Sequence, residues 1–447
     1  MNRSALRGAD AELSVACQDR YTIAAPAMED RRNVISWALY DWANSAFAIT
    51  VMSAFFPLFL KHYWSDGADA TLTTFRLGLA NSIGSIVIAL LSPILGAIAD
   101  QGGTRKRYLI LFAAMAIVMT GALQFVTRGE WPLAIALYVL AVIGFSGSNS
   151  FYDALLVSVA SEPRLDKVSS LGFALGYLGG GLLFAVNVAM TLWPAHFGLA
   201  DSSESVRLSF GMVAAWWAIF SVPLLVFVKE PEAAGRLSGW SAASAGFRQL
   251  AATFRDIRRL RIVVLFLLAY LLYIDGVGTL ARMAMDYGMA IGFEENSLIV
   301  ALLITQFVGF PASIAFGHLA ARFGAKTGIY IGLFVYIAAT VWGYAMEHIW
   351  EFYALAVVIG LVQGGVQSLS RSLFARITPA GRAGEFFGFY NMLGKFSAVM
   401  GPLLVGFTAL ATGSSRAAIL AILVPFIAGG ILLYFVDEHE GARLARE

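Results

Sequence analysis

The stretch Gly96-Ala-Ile-Ala-Asp100-Gln-Gly-Gly103-Thr-Arg105-Lys-Arg107 closes one apolar run, residues 75–99, and leads into the next, 108–126. A helix that crosses the hydrocarbon of a bilayer needs about 20 mainly apolar residues, so each flanking run is long enough for one crossing. The polar segment between them has room only to turn the chain. It places one acid and three basic residues at a single membrane face. Outward from this point the same grammar recurs. Apolar runs at 34–60, 75–99, 108–126, 132–157, 168–192 and 208–228 are followed by a polar, Arg-bearing connector at 229–261. Six more runs follow, at 262–285, 297–320, 328–346, 352–374, 386–411 and 417–436. The expectation is an all-α polytopic membrane protein of 12 transmembrane helices in two six-helix halves.

Composition agrees. Of 447 residues, 59% are hydrophobic and 13% charged, and mean hydropathy is +0.72; soluble domains carry about 25% charge. The single cysteine, Cys17, excludes a disulfide framework and a Cys-based metal site. The amino-terminal residues lack the apolar core of a signal peptide, so 1–33 is expected to be a disordered cytoplasmic tail. Residues 34–228 and 262–436 form the two halves, with 229–261 as a cytoplasmic linker and 437–447 as a second cytoplasmic tail. With both termini inside, the inner connections carry 24 Lys and Arg, counting Arg371, and the outer ones 5. That bias is what the positive-inside rule requires.

The halves resemble each other. Val142-Ile143-Gly144 matches Val358-Ile359-Gly360, and Gly172-Phe173 matches Gly388-Phe389 at the same offset; Leu39-Tyr40-Asp41 parallels Leu272-Tyr273-Ile274-Asp275. Duplicated halves suit a rocking transporter with its site near the midplane. The Gly96–Arg107 stretch resembles the signature loop between spans two and three of the major facilitator superfamily, with one extra residue before the basic cluster. A degenerate copy begins at Gly317, with Ala321 in place of the acid. Trp37-Ala-Leu-Tyr-Asp41-Trp-Ala-Asn44-Ser-Ala-Phe47 is similar to the opening span of the vacuole-effluxer branch. Asn149-Ser-Phe-Tyr-Asp153, Gly172–Gly181 and Phe389-Tyr-Asn391-Met-Leu-Gly394-Lys395 look like further blocks of that branch. The resemblance implies a pseudo-symmetric major facilitator fold in a bacterial cytoplasmic membrane, or a vacuolar one in fungal relatives, and export of small amino acids.

A charge at the bilayer centre costs about 2.5–3.5 kcal/mol on insertion scales, so it faces a cavity or a partner. In span one, Asp41, Asn44 and Ser45 fall within about one helical turn. Either Asp41 binds a proton or a substrate amine, or the set links span one to Asn149 and Tyr152 on span four. Asp275 in span seven is the second proton-coupling candidate, with Gly276 and Gly278 letting the helix bend; its alternative is a fixed pair with Lys395 or another helix. Asn391 and Lys395, four residues apart on span eleven, suit a solute carboxylate, unless Lys395 snorkels to the surface. Asn44, Asn149, Gln306, Gln363 and Gln367 supply amides for a zwitterionic solute or for helix–helix links. Arg282 and Asp286 neutralise each other at i to i+4 spacing or leave Arg282 to grip a carboxylate. Asp100 with Arg105, Lys106 and Arg107 is expected as a cytoplasmic latch, joined by Asp153 with Arg371 or Arg382.

Other features point to architecture. Gly172, Gly176 and Gly180 form a packing stripe, and Trp64, Trp131, Trp193 and Trp350 are expected in an outer aromatic belt. No phosphate-cradling loop argues for ATP-driven pumping, and the five histidines form no midplane metal cluster. No cofactor, no metal and no nucleic acid is called for, and a monomer in the lipid bilayer suffices. A proton-linked secondary transporter of a small polar solute, such as a neutral amino acid, accounts for these features best. A transporter-shaped sensor would need a larger output domain than the connector provides. A membrane enzyme would need a reactive cluster that is not evident. A sugar or nucleoside transporter would share the same scaffold.

Overall fold

The computed structural model describes residues 30–65, 70–230, 239–255, 260–379 and 381–446. Twelve of its helices are long and apolar enough to cross a membrane: Arg31–Trp64, Phe75–Gly102, Arg105–Phe125, Trp131–Val159, Glu162–Leu192, Ser202–Phe227, Arg261–Ala281, Ser297–Phe323, Ala325–Ala345, Ile349–Ile377, Ala383–Thr412 and Arg416–Tyr434, here spans one to twelve. Cys17 and most of the expected amino-terminal tail lie outside the described residues. Span one begins at Arg31, three residues before the apolar run, because the Asp30 carboxylate accepts the Arg32 N–H and caps the helix at 2.9 Å. Long apolar side chains such as Leu111, Phe334 and Phe407 point outward. In a bilayer that costs nothing, since lipid tails are as apolar as the protein interior.

Without a hydrophobic drive between helices, close packing falls to small residues. A Cβ added to Gly176 would sit 2.6 Å from Ser45 Oγ, and one on Gly179 would sit 2.5 Å from the Trp42 ring, so span five lies hard against span one. The two halves meet in the same way. Gly96 of span two abuts the Gly384 carbonyl of span eleven, and a Cβ on Gly388 would fall 2.6 Å from Ser92 O. On the other side of the bundle, a Cβ on Gly317 of span eight would lie 2.7 Å from Ser170 Cβ of span five. These contacts concentrate at the end of the bundle that carries the Gly96–Arg107 stretch, called here the basic end.

Two expectations are corrected. Span seven is a continuous helix, Arg261–Ala290; Gly276 serves close approach of the Phe426 ring rather than a bend, since a Cβ there would lie 2.7 Å from Phe426 Cε1. The irregular helix is span one, which turns π-helical over Phe47–Phe55 and again over Leu60–Trp64, on either side of Pro57. Such wide turns concentrate at functional sites. Trp64 is buried rather than interfacial: its ring packs against Phe56, Phe59 and Phe210, and its Nε1 donates to Val126 O at 3.3 Å. Trp193 and Trp350 are exposed.

Both connecting segments at the basic end contain helices. The linker holds Gly239–Arg255, which packs on span two. The carboxyl-terminal segment holds Glu438–Leu444, capped by Asp437, whose carboxyl the N–H groups of Glu440 and His439 hold below the usual carboxylate range. Arg446 ties this last segment to Glu162 of the first half at 2.5 Å.

Ala in place of a helical Gly normally adds about 0.5–1 kcal/mol of stability. Gly78, with no atom within 4 Å of an added Cβ, is therefore expected to tolerate Ala with an unchanged or raised Tm. Gly96→Ala is expected to lower the Tm by forcing spans two and eleven apart. Thermal unfolding of the two purified variants against wild type checks this.

A buried ion cluster at the foot of a central cavity

A cavity of about 460 Å³ lies between the halves, within the range of about 300–1,000 Å³ usual for small-molecule sites. Its walls carry Phe145, Phe173, Tyr177, Tyr270 and Tyr390, and they extend to Met346 and Phe352 at the far ends of spans nine and ten. The structure brings most of the expected site residues together there. Asp41, Asn44, Asn149, Asp153, Gln306, Gln363, Gln367, Arg371 and Asn391 all line it.

At the foot of the cavity sits Arg371. The charge count placed it in an inner connection; the structure corrects this, burying it within span ten at 2% exposure. Burial is tolerable because every face of the guanidinium is engaged. Nη1 donates to Asp153 Oδ1 at 3.0 Å and reaches Asp41 Oδ2 at 3.4 Å; Nε and Nη2 donate to Ser169 Oγ and Ser169 O, each at 2.9 Å. Phe173 and Trp37 lie 4.4 and 4.9 Å from it, a stacking that suits the planar cation. Asp41 also accepts from Tyr152 OH at 3.1 Å, and Asp153 from Asn391 Nδ2 at 3.0 Å. Two carboxylates thus share one guanidinium, and the second-half cation is held by first-half acids. Gly172 makes the approach possible, since a Cβ there would stand 3.0 Å from both Asp41 Oδ2 and Arg371 Nη2.

The model for the "Vacuole effluxer Atg22 like" family matches residues 67–446. The chain belongs to that family. It is 41% identical to the "Uncharacterized MFS-type transporter YxiO" of Bacillus subtilis, over 92% of this chain and 96% of that one. It is 24% identical to "Autophagy-related protein 22" of Yarrowia lipolytica, over 89% of this chain and 79% of that one. Among solved structures, the human organic anion transporter MFSD10 superposes with a TM-score of 0.69 at 16% identity, covering 90% of this chain and 99% of that one. The proton:xylose symporter XylE superposes with a TM-score of 0.66 at 12% identity, covering 92% and 96%. The fold is that of the major facilitator superfamily, and the chain is a membrane transporter of the vacuole-effluxer type.

In this effluxer-type chain the other expected residues fall into distinct places. Asn44 Nδ2 donates to Asn149 Oδ1 at 2.7 Å, so the pair both lines the cavity and links spans one and four. Asp275 does not line the cavity. It is 2% exposed and accepts the Gly401 N–H at 2.7 Å, beside Pro402, which interrupts the regular bonding of span eleven. Lys395 extends over the Phe145 ring at 5.7 Å and interacts electrostatically with Asp153. Arg282 and Asp286 are on the helix of span seven, but their side chains lie outside the described residues.

Asp100 pairs with Arg105 at 2.7 Å and also accepts the Gly384 and Glu385 N–H groups, each at 2.9 Å. It therefore caps the first turn of span eleven across the boundary between the halves, where the helix dipole favours an anion. Arg107 is exposed at the same end, and Arg382 pairs with Glu385 at 3.0 Å rather than with Asp153.

Three participants escape a reading of the sequence. Ser169 supplies two acceptors to Arg371. Asp166 joins Arg376 at 2.9 Å and Ser372 at 2.5 Å, making a second ion pair between halves. Glu385 is fully buried. On paper Asp166, Arg376 and Glu385 are ordinary charges at span ends; only their contact across the bundle marks them.

Removing one member of a buried ion pair typically costs about 3–5 kcal/mol. Arg371→Gln, which leaves two carboxylates facing each other, is expected to lower the Tm strongly. The double variant Arg371→Gln with Asp153→Asn is expected to lose less than the sum of the two single changes. A double-mutant cycle on thermal unfolding reads this coupling.

Proposed function

We propose that this transporter moves a small zwitterionic solute, of the neutral amino-acid type, out of the cytoplasm by alternating access, and that proton uptake at the Asp41–Asp153–Arg371 cluster drives the switch. One observation carries the reading: two carboxylates on the first half share one cation on the second, at the closed foot of a cavity walled by amides. Asp41 and Asp153 outnumber the single guanidinium they share, with Lys395 the only further cation acting on Asp153 among the described contacts, an arrangement that suits a proton or a solute ammonium. Protonation of either carboxylate removes part of the attraction holding the halves together at the basic end, so binding and opening are coupled through the same groups. Arg371 is committed to Asp41, Asp153 and Ser169 in this closed arrangement; Lys395, one turn beyond the cavity-lining Asn391 and outside the lining itself, is the cation proposed to meet a solute carboxylate. The amides Gln306, Gln363 and Gln367 then serve the polar backbone of the solute, and Phe173 and Tyr177 its side chain.

Orientation belongs to the same proposal. The positive-inside bias puts the basic end, both termini and the linker in the cytoplasm, so the present arrangement is closed to the cytoplasm. The resemblance to autophagy-related relatives supports efflux, and the half-buried Asp41 and buried Asp153 support proton coupling. Asp275, bonded to the span-eleven backbone, is here a structural acceptor rather than a proton carrier.

The test is counterflow of radiolabelled neutral amino acids in proteoliposomes, with sugars and nucleosides as alternatives, at two pH values. Uptake of an amino acid is expected, reduced at least tenfold in Lys395→Ala, and with its pH dependence flattened in Asp41→Asn. Uptake confined to sugars or nucleosides would overturn the solute assignment. An unchanged pH dependence in both Asp41→Asn and Asp153→Asn would overturn proton coupling.

A further inference from the structure

The linker helix Gly239–Arg255 has two faces that the transport reading does not use together. At 3.6 residues per turn, Ala242, Gly246, Gln249 and Thr253 share one side, and all are buried or half-buried. Gly246 allows direct approach to span two: a Cβ there would lie 2.8 Å from Ile98 Cγ1. From the same side Gln249 donates to the buried Glu385 at 2.5 Å and bonds Gln101, while Thr253 bonds both Glu385 and Arg382. The helix therefore lies across the junction of spans two and eleven and touches both halves.

The opposite side carries Trp240, Ser244, Phe247 and Ala251, with Arg248 and Arg255 flanking it. Trp240 is 88% exposed and Phe247 54% exposed. An aromatic stripe left in water beside a gate would be a liability. Gly246 packs on Ile98, close to the end of span two, and the ends of membrane-crossing helices are where Trp is favoured, at the boundary between hydrocarbon and headgroups. Span two continues the lipid-facing surface directly, with Leu90 and Leu91 exposed two turns further into the bilayer. A helix with one apolar stripe and basic flanks is the form that lies in an interface and draws anionic headgroups.

We propose that this outer face is a docking surface for anionic phospholipid, so that the linker helix is held between the membrane and the gate. Arg248 and Arg255 pair with lipid phosphates, and Trp240 and Phe247 insert among the acyl chains. The bilayer then presses the Gln249 and Thr253 side onto Glu385, and anionic lipid favours the arrangement closed at the basic end.

The test uses the full chain with Cys17→Ser and Ser244→Cys, the cysteine carrying an environment-sensitive fluorophore in the middle of the stripe. The protein is reconstituted in phosphatidylcholine and in an equal mixture with phosphatidylglycerol, each with and without brominated acyl chains. The expected result is a blue-shifted emission and bromolipid quenching that are severalfold stronger in the anionic bilayer, and loss of that difference in Arg248→Glu with Arg255→Glu. Equal quenching in both bilayers would overturn the anionic-lipid assignment. A fluorophore quenched by aqueous iodide and not by bromolipid would overturn lipid docking altogether and leave the face to a soluble partner. The reporter chain keeps all four surface residues, so its own result stands even if the charge-reversed variant fails to fold.

Discussion

A guanidinium buried between two carboxylates is the constraint around which the rest of this molecule is arranged. Arg371 belongs to the second half, and Asp41, Asp153 and Ser169 belong to the first. Within a low-dielectric interior such a charge persists only while its partners stay in place. The glycines of span five, the Trp37–Tyr152 stack at 4.5 Å and the bond from Trp37 Nε1 to Tyr152 O at 3.0 Å all serve to hold those partners in position. The cavity exists above this point because the halves are drawn together below it.

The same physics explains why polar contacts recur at the basic end. Lipid offers no hydrophobic reward for joining two apolar helices. Backbone contact through Gly96 and Gly384 supplies dispersion, and ionic contacts supply a part that can be switched. Asp100 on the amino terminus of span eleven, Asp166 with Arg376, and Glu385 with Arg382 are spread across that end. Each is a charge interaction that weakens when water enters, which apolar packing does not provide. On the proposed transport cycle, the cluster at Arg371 is the member in contact with the cavity, and so the one a proton or solute reaches first.

Much of this was legible in the sequence, and what was not has a physical reason. Span number and the pairing of halves follow from runs of apolar residues and from short repeated blocks, because the bilayer sets a length that composition must meet. Asp41, Asn44, Asn149 and Asn391 could be picked out because polar groups inside an apolar run are costly. Arg371 was visible as a residue but misplaced, since near a span end a buried charge and a loop charge look alike. Asp275 stood out for the same reason as Asp41, yet its partner is a backbone N–H beside Pro402, a contact that residue type cannot announce. Asp166, Glu385 and the inner face of the linker helix depend on segments more than a hundred residues apart, so no local pattern carried them.

The most direct measurement is the separation of the halves at the basic end, read by double electron–electron resonance between spin labels on Lys167 of span five and Arg322 of span eight, both exposed there, in a Cys17→Ser background. The account predicts one short, narrow distance distribution in the wild-type surroundings, and a second, longer population when Arg371→Gln is introduced. Identical distributions in the two proteins would show that the shared guanidinium does not hold the halves together, and would contradict the account at its centre.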